Sequence, residues 1–390
     1  TAYEIVDCDW SSDVCSSDLL YPGRPSYEHA IDTAIQSAVA AGVLLRDDAG
    51  RPLLFTDPWV IGSCYWRSWW LQNYPSAEQL DELRTVPFCY ITHEHPDHFH
   101  TASVRALGRG PHYLTPDLPH ARMATYLREQ GHRVTTLSPF TWRRISPEVQ
   151  VLSVPMLNDD SVLLVSTPTA ILINVNDSKP RPSQLRQLAK ALDSIAEGRR
   201  RVLLSSYSPA SIVNSFLKGA TRVSLRAKAS YAHAVSRTCR VLTIDDFMPF
   251  ASQVVFKRSD SQWANQFKVQ FDELQEHWTG APARLLPPFS TIDLTTGEYS
   301  TAPPSLYRHD ETEMVPKVAA QEALDTSALF DDGDVERLRA KLAHCRFLLA
   351  ALFPSGIGFE LEHTRLTYKD RKSTRLNSSH SQQSRMPSSA

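Results

Sequence analysis

What the chain lacks narrows it first. No run approaches the roughly 20 apolar residues that a membrane-crossing helix needs, so no transmembrane span is expected. No Cys-x-x-Cys pair occurs. Cys64, Cys89, Cys239 and Cys345 are scattered, which suits a reducing cytosol, and Cys8 and Cys15 fall in the terminal segment 1–19. No internal repeat of roughly 20–50 residues is evident, so a solenoid or propeller is not expected. There is no basic stripe and the formal net charge is only −2, which gives no case for nucleic acid or an anionic membrane as partner.

Both ends read as translated DNA rather than as protein. Residues 370–380, Asp-Arg-Lys-Ser-Thr-Arg-Leu-Asn-Ser-Ser-His, are an in-frame translation of a common short-read sequencing adapter, and Ser384 to Ala390 match its continuation. Residues 9–19 read as the complementary adapter, and Thr1 to Ile5 as its outer part. An index-sized gap separates the matching pieces at each end. Residues 1–19 and 370–390 are therefore expected to lie outside the fold, as an expression scar does. They carry four basic and six acidic residues, so the remainder is formally neutral. That remainder is long enough to bury a substantial core as one large domain plus an appendage.

Along the chain, Ala30, Ile31, Ala34, Ile35, Ala38 and Val39 recur at helical spacing, which predicts an amphipathic helix over 28–43. Leu44-Leu45 and Leu53-Leu54-Phe55 flank Asp47-Asp48-Ala49-Gly50, which reads as a hairpin. Short strands and helices then alternate. Strands are expected at 86–91, 112–114, 133–137, 149–154, 161–166, 170–175 and 202–204, and helices at 99–107, 121–130 and 183–195. Such a mixture fits two packed sheets with helices outside. Beyond Pro303-Pro304 the pattern shifts to a helix over 334–352 and a strand-like stretch over 357–368. The expected division is thus a domain over 20–302 and an appendage over 303–369.

The stretch with chemistry is Thr92-His93-Glu94-His95-Pro96-Asp97-His98-Phe99-His100. It follows the apolar run Val86 to Ile91 and places four histidines and two carboxylates in eight residues. Neutral imidazole and carboxylate are the donors that a divalent transition metal takes near neutral pH. In a tight loop His93 and His95 can point to one side, with Asp97 and His98 facing a second position nearby. The order His-x-His-x-Asp-His directly after a buried strand resembles the metallo-β-lactamase superfamily.

That resemblance implies an α/β fold, a four-layer αββα sandwich with a small C-terminal appendage here. It implies metal ligands at His93, His95, Asp97 and His98. It also implies a bridging carboxylate at the tip of the strand 170–175, where Asp177 stands; the alternative for Asn176-Asp177 is an ordinary Asx turn. Asp57-Pro58-Trp59, Ser205 to Ser211 and Met248 to Ser252 look like the branch containing lactonase-like enzymes and the metal domains of sugar-nucleotide N-acyl hydroxylases. Trp66, Trp69 and Trp70 in the aromatic loop 64–70, together with Tyr207, are the candidate substrate contacts; ordinary core packing is the other reading of the loop. The superfamily's further histidine for the first metal is missing from Pro155 to Asp160, so Asn158, Asp159 or Asp160 would have to replace it, favouring a harder metal. His233 and His277 are candidates for a last ligand by position alone. His-x-His rather than His-x-Glu argues against the flavin-linked diiron oxygen reductases of this fold.

The function these residues imply is hydrolysis of a small molecule in the cytoplasm, through a water activated by zinc, or by iron or manganese, with Asp97 as the catalytic carboxylate. An iron- and oxygen-dependent hydroxylase is one alternative, although no Cys-x-His and Cys-x-x-His pair is present to bind an iron–sulfur cluster. A non-catalytic binding module with a decayed site is the other.

Overall fold

The structure, a computed structural model, describes residues 34–37 and 42–301, apart from 66, 157–158, 197, 210–214, 219–220, 225 and 260. It also describes Glu336, Ala340 and the strands Ile357–Leu361 and Thr364–Tyr368. Both adapter-like segments and residues 28–33 lie outside that set.

Two sheets carry the fold. The first has eight strands, in the order Tyr299–Thr301, Ser290–Asp293, Ala34–Ser37, Val43–Arg46, Pro52–Thr56, Phe88–Tyr90, His112–Pro116 and Arg133–Leu137. The second has seven, in the order Arg284–Leu285, Asp246–Pro249, Arg200–Ser205, Ala170–Asn176, Asp160–Ser166, Gln150–Met156 and Arg143–Arg144. Alternation along the strands decides which layer each side chain enters. In Asp160–Ser166, Leu163 and Val165 point between the sheets, where they meet Val43, Leu54, Tyr90 and Leu114. Val162 and Leu164 point the other way, to Leu185, Leu188 and Leu192 of the helix Pro182–Ile195 and Val235 and Leu242 of the helix Ala229–Leu242. The outer face of the first sheet, through Leu44, Phe55 and Tyr113, packs on Leu83, Val104, Leu107 and Leu127 of three short helices. Helices, sheet, sheet, helices: the four layers follow from three apolar interfaces.

Most expected elements are present close to their bounds. The hairpin over 47–50 closes with Asp47 Oδ1 accepting from the backbone of Ala49 and Arg51 at 3.1 and 2.8 Å, and Gly50 takes the left-handed φ of 72° that the turn requires. The exception is the helix expected over 28–43. Its described part is instead the strand Ala34–Ser37, antiparallel both to Val43–Arg46 and to Ser290–Asp293. A strand between two partners satisfies its backbone on both sides, and that pairing overrides a helical spacing read from small apolar residues.

Contacts divide the chain into two units, residues 1–317 and 318–390. In the second, Ile357–Leu361 and Thr364–Tyr368 form an antiparallel hairpin, and Glu336 and Ala340 are helical; the rest of the helix expected over 334–352 lies outside the described residues. No helix among the described residues is long and apolar enough to cross a membrane.

The helix Ala77–Arg84 opens on a capping box, with Gln79 N donating to Ser76 Oγ and Ser76 N donating to Gln79 Oε1. Ser76→Ala is expected to cost about 1 kcal/mol, read as a lower urea midpoint at unchanged slope.

Candidate metal centre

The centre begins where parallel strands end. Pro52–Thr56 runs parallel to Phe88–Tyr90, and the pairing Thr56↔Tyr90 puts Asp57 beside Thr92. Asp57 is fully buried, with a left-handed φ of 44°. Its Oδ1 accepts from Thr92 N at 2.8 Å and Thr92 Oγ1 at 3.0 Å, and its Oδ2 lies 3.2 Å from His98 Nδ1. A carboxylate on Nδ1 fixes the tautomer that leaves His98 Nε2 free to ligate. Nothing in the spacing of the sequence marks this role; the only pointer was the strand-ending Asp57-Pro58-Trp59.

The second sheet supplies the facing carboxylate. Asn176, at φ 46°, turns the chain out of Ala170–Asn176 and presents Asp177. Ser161 sets the gap between the sheets: its Oγ donates to Thr92 O at 2.7 Å, and its carbonyl accepts from Asn176 Nδ2 at 2.8 Å. The Tyr90 hydroxyl adds bonds to Ser153 and Ser161 across the same interior, at 2.9 and 2.8 Å.

The five expected ligands converge. Asp177 Oδ1 lies 3.7 Å from His93 Nε2 and 3.8 Å from His98 Nε2. His93 Nε2 is 2.8 Å from His95 Nδ1, and His98 Nε2 is 3.4 Å from Asp97 Oδ2. One donor atom each from His93, His95 and Asp177 lies within 4.8 Å of the others. Ligands bound at about 2.1 Å around one tetrahedral ion stand roughly 3.4 Å apart, so these separations have the right scale. Asp177 Oδ1 is buried with no hydrogen-bond partner, as an oxygen reserved for a cation would be. A divalent metal ion fits the donor set of His93, His95 and Asp177; Asp97 and His98 approach Asp177 from the other side and offer a candidate second position.

The electrostatics agree. Burial, reinforced by the neighbouring His98 and His95, holds the His93 imidazole well below its usual basicity, so it is neutral and ready to ligate at pH 7. For His98, burial works against the charged form, but Asp97, Asp57 and Asp177 outweigh it and push its pKa well up. A cation among those carboxylates would take the proton's place.

The sequence expectations meet different fates. Asp160, considered as a replacement ligand, stands behind His93: its Oδ1 is 3.4 Å from Nδ1, the ring atom turned away from Asp177. It orients His93, as Thr92 Oγ1 does from 3.0 Å. Asn158 lies outside the described residues, and Asp159 borders a shallow groove with Glu94, Leu118, Arg122 and Met123. The motif's fourth histidine, His100, caps the helix Thr101–Leu107 by accepting from Ser103 N at 3.3 Å. Glu94 pairs with Arg122. Trp66 lies outside the described residues. Trp69 stands with its ring centroid 4.5 Å from Tyr65 and 5.4 Å from Phe256, and Trp70 donates from Nε1 to Arg67 O. Tyr207 is not brought into the cluster: it is buried in the layer between the second sheet and its helices, its hydroxyl accepting from Gln253 Nε2 at 2.9 Å. Neither His233 nor His277 joins the metal-ligating group found among the described residues.

A histidine loop at the end of one sheet thus meets an aspartate at the end of the other, inside helix-flanked layers. These layers are those of the four-layer αββα sandwich that the histidine motif implies. No family model matches it. Among curated proteins it is similar to the cytidine monophosphate-N-acetylneuraminic acid hydroxylase of Asterias rubens, 39% identical over 70 residues, 18% of this chain and 10% of that one. The hydroxylase of the same name from Cricetulus griseus is 22% identical over 243 residues, 58% of this chain and 41% of that one. The chain spans less than half the length of these curated relatives. Among solved structures, the isothiocyanate hydrolase from Delia radicum gut bacteria superposes with a TM-score of 0.48 at 13% identity, covering 66% of this chain and 98% of that one.

Proposed function

We propose that the protein is a metal-dependent hydrolase of a small molecule, with zinc as its ion and iron or manganese as alternatives. The observation that carries this reading is the buried, unpartnered Asp177 Oδ1 facing His93 on one side and His98 on the other. Each position has three protein donors, which leaves room for a water and a substrate atom. A divalent ion there supplies the Lewis acidity that makes water a nucleophile near neutral pH. Asp97 keeps Oδ2 at the centre while Oδ1 accepts from Tyr65, so Oδ2 is the oxygen left either to hold a second ion or to take the proton of the water. Tyr65, Trp69 and Trp70 form an apolar wall that limits water and receives the substrate's non-reacting part. The lack of a basic stripe favours a small molecule over nucleic acid, in the cytoplasm.

One observation favours a second reading. His93, His95 and Asp177 are two imidazoles and one carboxylate, a set that non-haem iron enzymes use with oxygen. The curated relatives are named as hydroxylases. On that reading the chain is an iron- and oxygen-dependent hydroxylase.

The test is metal removal and return. The chelated full-length chain is expected to lose turnover of ester, amide, lactone or phosphoester panels and to regain it with zinc, iron(II) or manganese. Ion at about 100 times its Kd should add about 2.7 kcal/mol to the stability of the chelated protein, seen as a higher unfolding midpoint. Oxygen uptake by the iron-loaded protein without hydrolysis would select the hydroxylase. A chain that takes up no ion would leave only the binding module.

A further inference from the structure

Two adjacent residues of the aromatic loop bond two adjacent residues of the metal loop. Cys64 Sγ donates to Pro96 O at 3.0 Å, and the Tyr65 hydroxyl donates to Asp97 Oδ1 at 2.9 Å. Tyr65 is held for this. Its φ is 50°, a left-handed backbone that an aromatic residue seldom adopts, and Arg67 follows at 64°. Arg258 Nη1 donates to its carbonyl at 3.3 Å, and Trp69 packs on its ring. Cys64 pairs with Trp69, and Trp69 with Phe256, so a small three-stranded sheet fixes the whole turn.

We propose that Tyr65 is a positioning residue for the second metal position: its phenol occupies Asp97 Oδ1 and so presents Oδ2 alone, beside His98 Nε2, as a single-oxygen ligand. This rests on the two-position metal reading. It makes the pocket wall and the loading of one position a single structural unit. The first position, built from His93, His95 and Asp177, makes no use of the phenol. A partner bond of this kind changes metal affinity about 10–100-fold when removed.

The experiment uses the full chain, freed of metal and titrated with zinc against a chromophoric chelator, then with cobalt(II) to read its d–d bands. The wild type is expected to take two ions. Tyr65→Phe should leave the first ion's affinity and spectrum unchanged, weaken the second about tenfold, and alter the second cobalt spectrum only. Trp69→Ala, which withdraws the ring packed on Tyr65 but keeps the phenol, should weaken the second ion by less. That gives a second readout should Tyr65→Phe fold poorly. Equal affinity and identical spectra at both positions in both variants would overturn the assignment to Tyr65 and leave the metal centre standing. Equal loss at both positions in Tyr65→Phe would overturn it too, because the phenol would then act on the cluster as a whole. A wild type that takes up no ion would remove the metal reading and this inference together.

Discussion

Asp177→Ala is expected to release metal from both positions at once, whereas His95→Ala should release it from the first alone. Asp177 Oδ1 lies within 4 Å of both His93 Nε2 and His98 Nε2, so its removal leaves each position one donor short. The loss also takes away the anion that offsets charge in a buried cluster, where water screens poorly. Affinity should fall by more than about 100-fold at each position, beyond the upper range for a partner that merely orients a ligand. Metal content after dialysis against a weak chelator reads this directly: two ions for the wild type, one for His95→Ala, none for Asp177→Ala. Turnover should vanish in both variants. An Asp177→Ala protein that retains two ions would show that the carboxylate's proximity to both rings is incidental.

The largest stability effect is expected away from the centre, at Asp246. Its side chain is 1% exposed and sits between two arginines, with Arg200 Nη1 at 2.7 Å and Arg284 Nε and Nη2 both at 2.7 Å. The same two arginines reach the turn after Ser290–Asp293, through Thr296 O and Gly297 O. Asp246 therefore ties an edge of the second sheet to a hairpin of the first. Breaking a buried ion pair by removing one partner costs about 3–5 kcal/mol. Arg200 and Arg284 are 27% and 43% exposed and can rehydrate, so Asp246→Ala should fall at the lower end, about 3 kcal/mol. Urea unfolding of both proteins checks it. A loss below about 1 kcal/mol would mean the triad behaves as an ordinary surface pair.

How much of this was legible in the sequence depended on distance along the chain. His93, His95, Asp97 and His98 come from one loop, so their nearness to one another is visible in the spacing. Leu163 and Val165 alternate with Val162 and Leu164 because a strand buried on both faces is apolar throughout, and that run is visible. The partners that tune the ligands are another matter. Asp57 reaches Thr92 across 35 residues, and Tyr65 reaches Asp97 across 32, through pairings that no local pattern encodes. His100, the last histidine of the same run, instead caps the helix that follows, a use that its nearness to the ligands does not reveal. Ala34 and Ile35 suit either a helix or a strand, and the neighbours on both sides decided for the strand. Tyr207 follows its strand into the layer under the helices, where its ring is buried, and nothing in the local pattern distinguishes that from a place at the strand end's loop.

The three-stranded sheet beneath the aromatic loop has a kinetic consequence. It joins residues near Trp69 to residues near Phe256, and the bond between Ser68 Oγ and Ser261 Oγ, 2.6 Å long, spans 193 residues of chain. Contacts this distant in sequence pay their loop-closure entropy only after the intervening sandwich has collapsed. The histidine loop depends on nearer partners and can be ordered sooner. During refolding, metal uptake at the first position should therefore precede docking of the tryptophans, with a window in which that position is loaded and open to solvent on its apolar side.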